Sequence, residues 1–129
     1  MTGFTYYEKK TDKPIFLNYI YVMLNPEISG NYIYGKYDFK YEPFYVGKGS
    51  YDRPCHHFTK SSLAKKSPKN NKIKYLLSNN IKLIIIIIKD NLPNLKAHKL
   101  ENNLIKLIGR KDLNEGVLLN RLGGKKQNL

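Results

Sequence analysis

Cysteine occurs once in this chain of 129 residues, at Cys55. No internal disulfide can form, and a reducing, intracellular setting is expected, cytoplasmic or nucleoid-associated. Acidic residues are scarce: 10 against 23 lysines and arginines, a formal net charge of +13. A surface that basic suits a polyanion, nucleic acid before an acidic membrane. Part of the lysine excess has a blander source, because the chain is crowded with Lys, Asn, Ile and Tyr, the residues an AT-rich genome over-uses. Long apolar runs are missing too. The longest, "LIIIII" at 83–88, falls far below the ~20 residues a membrane span needs. The N-terminal "MTGFTYYEKKTDK" has no apolar core and carries acids, so no secretory signal is expected.

Enough apolar residues are present, 41% of the chain, to build one core, and the length suits one domain. Residues 1–16 read as a loosely structured lead-in, 17–124 as the domain and 125–129 as a basic tail. "LNYIYVML" (17–24) has the β-branched and aromatic content of a strand. "YIYGKYDFKYE" (32–42) alternates as a hairpin extension, and "PFYVG" (43–47) as the return strand, with Pro43 at its first position. A basic helical region follows from Tyr51. Ser67 as N-cap and Pro68 at N1 start another helix. "IKLIIIIIK" (81–89) suits a central strand covered on both faces. A last helix begins near Leu95 and ends at Gly109. The expected fold class is α/β (α+β): a small mixed or antiparallel three-stranded sheet flanked by helices.

The chemistry concentrates in "YEPFYVGKGSYDRPCHHF", residues 41–58. Gly47, Lys48 and Gly49 lack the four-residue spacer of a Walker phosphate loop, which disfavours nucleotide binding of that kind. Arg53 and His57 fall four apart, one helical turn, where a guanidinium binds phosphate and an imidazole moves a proton. Cys55, His56, His57 and His98 invite a zinc reading, but three adjacent ligands cannot converge on one ion as separated pairs do. Glu101 is the odd residue of its helix, on one stripe with Ala97, Leu104, Ile105 and Ile108. Either it is an edge carboxylate paired with a neighbouring cation, or it is a hard-cation ligand on a cleft floor.

These residues together resemble the GIY-YIG nuclease domain, in particular its phage and giant-virus homing-endonuclease-like members. "YIY" (19–21) stands where GIY is expected, and "YVG" (45–47) stands for YIG. Arg53 and His57 match the Arg-x-x-x-His spacing, and "ENNLIKLIGRKDLNEGVLLN" is similar to the family's glutamate helix and the segment after it. The resemblance covers residues 18 to 124. It implies a DNA endonuclease using one Mg²⁺, with Mn²⁺ as a substitute, and a site made of Tyr21, Tyr45, Arg53, His57, Glu101 and Asn120. Glu101 would be the metal ligand, and Lys48, Arg110 and Lys111 would contact DNA.

Three features depart from the family pattern. Tyr19 replaces the first glycine, which makes it a second candidate for the role of Tyr21. The long gap between the tyrosine motifs implies an inserted hairpin. "RLGG" follows Asn120 where relatives often carry Thr-Asp before the two glycines. A stand-alone or truncated catalytic module with little sequence preference is expected, in a host cell if the source is viral; a transient dimer on DNA stays open. The competing readings are a catalytically decayed nucleic-acid-binding module on the same fold and a generic basic protein.

Overall fold

The computed structural model describes residues 5–8, 18–50 and 65–124. A four-stranded sheet forms the frame, from β1 (Thr5–Glu8), β2 (Asn18–Tyr34), β3 (Tyr37–Ser50) and β4 (Leu83–Leu92), in the spatial order β1-β4-β2-β3. β2 runs antiparallel to both β3 and β4, giving the expected three antiparallel strands. The fourth strand departs from the reading of the lead-in: β1 pairs in parallel with β4, Thr5 opposite Leu83 and Glu8 opposite Ile86. Its four residues carry no turn-bounded hydrophobic run, so its pairing is set by the open backbone edge of β4.

α1 (Pro68–Ser78) and α2 (Asn94–Ile108) cover the sheet. α1 begins as its sequence requires: Ser67 Oγ accepts the Asn70 N–H at 3.1 Å, and Pro68 takes the first turn, where no N–H partner is needed. α2 ends at Gly109 with φ +97°, and a Cβ there would overlap the Glu115 carbonyl. The sheet separates two apolar clusters. Ile20, Val22, Leu24 and Val46 pack with Ala97, Leu104, Ile105 and Ile108 of α2. Tyr19, Tyr21, Met23, Leu83, Ile85 and Ile87 pack on the opposite face with Ile73 and Leu76 of α1. The period-2 alternation of β2 assigns its residues to these two faces.

β4 lies inside the sheet as its apolar run implies, but its faces are unequal. Leu83, Ile85 and Ile87 are buried, whereas Ile84, Ile86 and Ile88 are half-buried. Pro43 sits inside β3 and not at its start, because β2 and β3 extend together as the inserted hairpin, turning at Gly35. The proline is tolerated beside a register shift, where Met23 faces Tyr45, Leu24 faces Pro43 and Phe44 is the extra residue.

β3 is the outer strand, and its outer backbone groups are taken by the C-terminal segment. The Leu119 N–H donates to the Phe44 carbonyl at 2.8 Å. Asn120 acts as a one-residue strand: its Oδ1 accepts the Val46 N–H at 3.0 Å, and its Nδ2 donates to the Val46 carbonyl at 2.8 Å. Asn120 is 6% exposed, so both bonds are made away from water. Its replacement by alanine leaves two buried backbone groups unmet. Asn120→Ala is expected to lower stability by about 2–4 kcal/mol, read as a lower urea midpoint at unchanged slope; a variant as stable as the parent would show that water replaces the amide without cost.

Candidate active site

Tyr21 faces Gly47 across the β2–β3 pair, and a Cβ at Gly47 would overlap the Tyr21 phenol. The glycine of the second motif therefore exists for the tyrosine of the first. Tyr45 is the diagonal neighbour, beside Gly47 on the same strand, and its ring centroid lies 6.4 Å from that of Tyr21. Tyr19 stands on the same face, 6.1 Å from Tyr21. The two candidates for the first-motif role differ in position. Both are buried in the cluster against α1, Tyr19 at 0% and Tyr21 at 2% exposure, and Tyr21 is the ring between Tyr19 and Tyr45.

Tyr45 opens into a cleft of about 510 Å³ at the outer edge of β3. Lys69 from the first turn of α1, His98 and Glu101 from α2, and Asn120 to Gly123 complete its walls. Glu101 is the half-buried member of an otherwise apolar stripe: Ala97, Leu104, Ile105 and Ile108 are buried, and the Glu101 side chain keeps 23% of its exposure. Burial pushes its carboxyl above the usual carboxylate range. His98, the Lys48 ammonium and a hydrogen bond from the Lys48 backbone N–H pull the other way. That N–H continues the row of outer β3 groups held by Asn120. The His98 Nδ1 to Glu101 Oε1 distance is 4.0 Å, so an imidazole one turn back stands beside the carboxylate in addition to Lys48.

Burial also raises the Tyr45 phenol above its ordinary value, with the Glu101 charge adding to it. Tyr45 therefore stays protonated at neutral pH, which leaves its hydroxyl able to donate a hydrogen bond. Lys69 Nζ sits 5.0 Å over the centroid of the Tyr45 ring. The Lys48 ammonium donates to Asn94 Oδ1 at 2.6 Å, tying the start of α2 to β3.

Among the described residues Tyr45, Glu101 and Asn120 thus meet in one cleft, and Tyr21 stands behind Tyr45, buried on the inner strand β2. Arg53 and His57 lie outside the described residues. Lys111 is exposed on the surface. Arg110 requires a correction. It is 4% exposed, its Nε donates to Asp112 Oδ1 at 2.9 Å and its Nη1 to the Gly123 carbonyl at 3.0 Å. A buried guanidinium with those bonds builds the C-terminal turn and is not presented to a polyanion. Asp112 raises its pKa, and Arg110 in return lowers that of Asp112.

The same turn accommodates "RLGG". Gly123 and Gly124 adopt φ of +83° and +67°, and the Gly124 N–H donates to Asn102 Oδ1 at 2.7 Å. The two glycines lie against Ile105 of α2, where side chains would collide, and the preceding Arg121 and Leu122 are exposed. Two cleft residues had not been singled out from the sequence for these roles, Lys69 and Asn102. Asn102 follows the glutamate directly, but nothing in its own segment marks a partner 22 positions later.

Among the described residues no group of three or more His, Cys, Asp and Glu could enclose a metal. That composition does not suit a closed protein cage. It does suit Mg²⁺, which takes one or two carboxylates and fills its other positions with water and phosphate oxygens. A half-buried carboxylate whose charge is disfavoured by desolvation would gain from such a cation.

The family model of the LEM-3-like GIY-YIG domain matches residues 18–121. No curated protein and no solved structure gives a match.

Gly47→Ala is expected to displace the Tyr21 phenol, costing about 1–3 kcal/mol as overpacking does and disturbing the tyrosine pair; a variant with the parent's melting temperature and near-UV tyrosine signal would contradict the close approach. Glu101 makes a second prediction, through pH. Its folded-state pKa is raised, so its contribution to stability is fully present below the unfolded value of about 4.3 and is lost as pH rises through the folded value. Glu101→Gln should therefore melt higher than the parent at neutral pH without metal, with the difference vanishing below about pH 4. A variant that melts lower at neutral pH would mean that His98 and Lys48 outweigh desolvation.

Proposed function

The chain belongs to the GIY-YIG family of nuclease domains, and from that premise we propose that it is a Mg²⁺-dependent DNA endonuclease. The observation that supports the proposal is that Tyr45 and Glu101 line one cleft while Tyr21, seated over Gly47, sets its ring against that of Tyr45. The reaction is hydrolysis of a phosphodiester. A water oxygen bonds to phosphorus, the bond to the 3′ oxygen breaks with its electron pair going to that oxygen, the water's proton passes to the protein, and the 3′ oxygen takes a proton from solvent.

In this reading Tyr21 takes that proton. A free phenol titrates near ~10, so positive charge must favour its phenolate; Lys48, Arg53 and His57 are the neighbours that the sequence supplies. Tyr45, holding its own proton, donates to the attacking water or to a phosphate oxygen. Arg53 offsets charge on the non-bridging oxygens as a preorganised donor, and His57 accepts from the Tyr21 hydroxyl. Glu101 would hold Mg²⁺, which when bound would supply Lewis acidity for the leaving 3′ oxygen. Asn120 keeps the outer edge of β3 in register, so that Tyr45 and the Lys48 N–H face the cleft together. Kinship with the phage and giant-virus homing type, drawn from the tyrosine motifs, belongs to the same proposal, as does low sequence preference.

Among the described residues no helix is long and apolar enough to cross a membrane. The net charge of +13 favours a polyanion as the principal partner.

Supercoiled plasmid incubated with Mg²⁺ or with EDTA tests the proposal. Cleavage is expected only with Mg²⁺. Tyr21→Phe, Arg53→Ala and Glu101→Gln should each reduce it by about 10² to 10³ or more while the fold is retained, and Glu101→Gln should bind DNA at least as tightly as the parent. Tyr19→Phe should be milder. DNA binding without Mg²⁺-dependent cleavage would favour the decayed module instead, and a dead Tyr19→Phe beside an active Tyr21→Phe would exchange the two tyrosines.

A further inference from the structure

We infer that Lys69 is a further phosphate-binding residue of this site, holding the DNA strand on the α1 side of the cleft opposite Glu101. The inference deepens the nuclease reading and rests on it. Three observations place Lys69 there. It lines the same cleft as Tyr45, Glu101 and Asn120. Its ammonium stands over the Tyr45 ring, 5.0 Å from the centroid. It leaves α1 in the first turn, one residue after Pro68, where Ser67 also faces the cleft and the helix dipole favours an anion.

The two sides of the cleft are then chemically different. Glu101 brings negative charge on α2, with His98 already beside it. The Lys48 ammonium is drawn to Asn94. Lys69 brings positive charge from α1, next to the phenol that faces the reacting phosphate in the proposed mechanism. Its charged form is disfavoured by half-burial, and further by the like charge of Lys65. A phosphate beside Lys69 supplies the opposite charge that offsets both of that lysine's penalties. The tyrosine ring fixes where the ammonium can reach, because a cation is attracted to the ring face and excluded from the ring's own volume. A lysine in this position acts as a point charge, able to follow a phosphate without imposing a forked geometry.

The bland alternative is that Lys69 only shields the Tyr45 ring with its aliphatic stem. Lys69→Met keeps that stem and removes the charge, and Lys69→Arg keeps the charge. The test measures affinity for a short DNA duplex in EDTA over a range of salt, and plasmid cleavage in Mg²⁺, for the parent and both variants. Melting temperatures checked in parallel should agree. If Lys69 binds phosphate, Lys69→Met loses about 0.9 from the slope of log affinity against log salt, cleavage falls by about 10²-fold, and Lys69→Arg restores much of both. An unchanged salt slope with parental cleavage in Lys69→Met would overturn the inference and leave the nuclease reading standing. A parent protein that neither binds nor cleaves DNA would overturn both.

Discussion

The site depends on what happens at the outer edge of β3. An edge strand carries backbone N–H and C=O groups with no neighbouring strand to meet them, and buried groups of that kind are costly. Here they are met one by one. The Phe44 carbonyl takes the Leu119 N–H, both groups of Val46 take the Asn120 amide, and the Lys48 N–H takes the Glu101 carboxylate. The residues that close the edge are thus also those that make the cleft. Glu101 is held by a backbone donor on the strand that presents Tyr45, so carboxylate and phenol keep a fixed relation without touching through a flexible loop. Preorganisation of this kind comes from satisfying the strand and needs no separate scaffold.

Inside the edge, the tyrosine pair is set by sheet geometry. Tyr21 lies over Gly47, and the register shifts on both sides of β2 surround it: Phe44 is extra on β3, and Ile88 is passed over between Ile20–Lys89 and Tyr21–Ile87 on β4. Bulges increase local twist and re-aim side chains. They explain how Phe44 and Tyr45, adjacent in sequence, both pack toward the α1 side. Electrostatics then divides the labour. Tyr45, half-buried and near a carboxylate, is held to its proton, whereas Lys69 of α1 brings a positive charge to the opposite side of the cleft.

Much of this was legible in the sequence because it rests on local rules. Ser67-Pro68 marks a helix start through a cap and a missing donor, and Gly109 marks an end through a conformation that side chains resist. The stripe of α2 exposed Glu101 as anomalous, since one acid among apolar residues at helical spacing needs a reason. What the sequence hid is long-range. The parallel pairing of β1 depends on an available strand edge 78 positions away, as in Thr5 opposite Leu83. Arg110 looked like a DNA contact because a basic residue after a helix is usually solvated; Asp112 and the Gly123 carbonyl internalise it. Lys69 resembled any other lysine of a lysine-rich chain until α1 placed it over the Tyr45 ring.

The inserted hairpin leaves the sheet early. β4 accompanies β2 only as far as Leu24, so beyond that point, among the described residues, the two hairpin strands pair only with each other. A two-stranded ribbon is marginal by itself. This one is held down by Phe39, which is 3% exposed, with Tyr32, Tyr34, Tyr37 and Tyr41 packed against the same apolar cluster. The ribbon also borders the half-covered face of Ile84, Ile86 and Ile88. Its opening is accordingly a local event, set by this aromatic patch and not by unfolding of the whole domain. Amide protons of residues 25–42 would then exchange with solvent well before those of β4, and each excursion would briefly wet the isoleucines beneath.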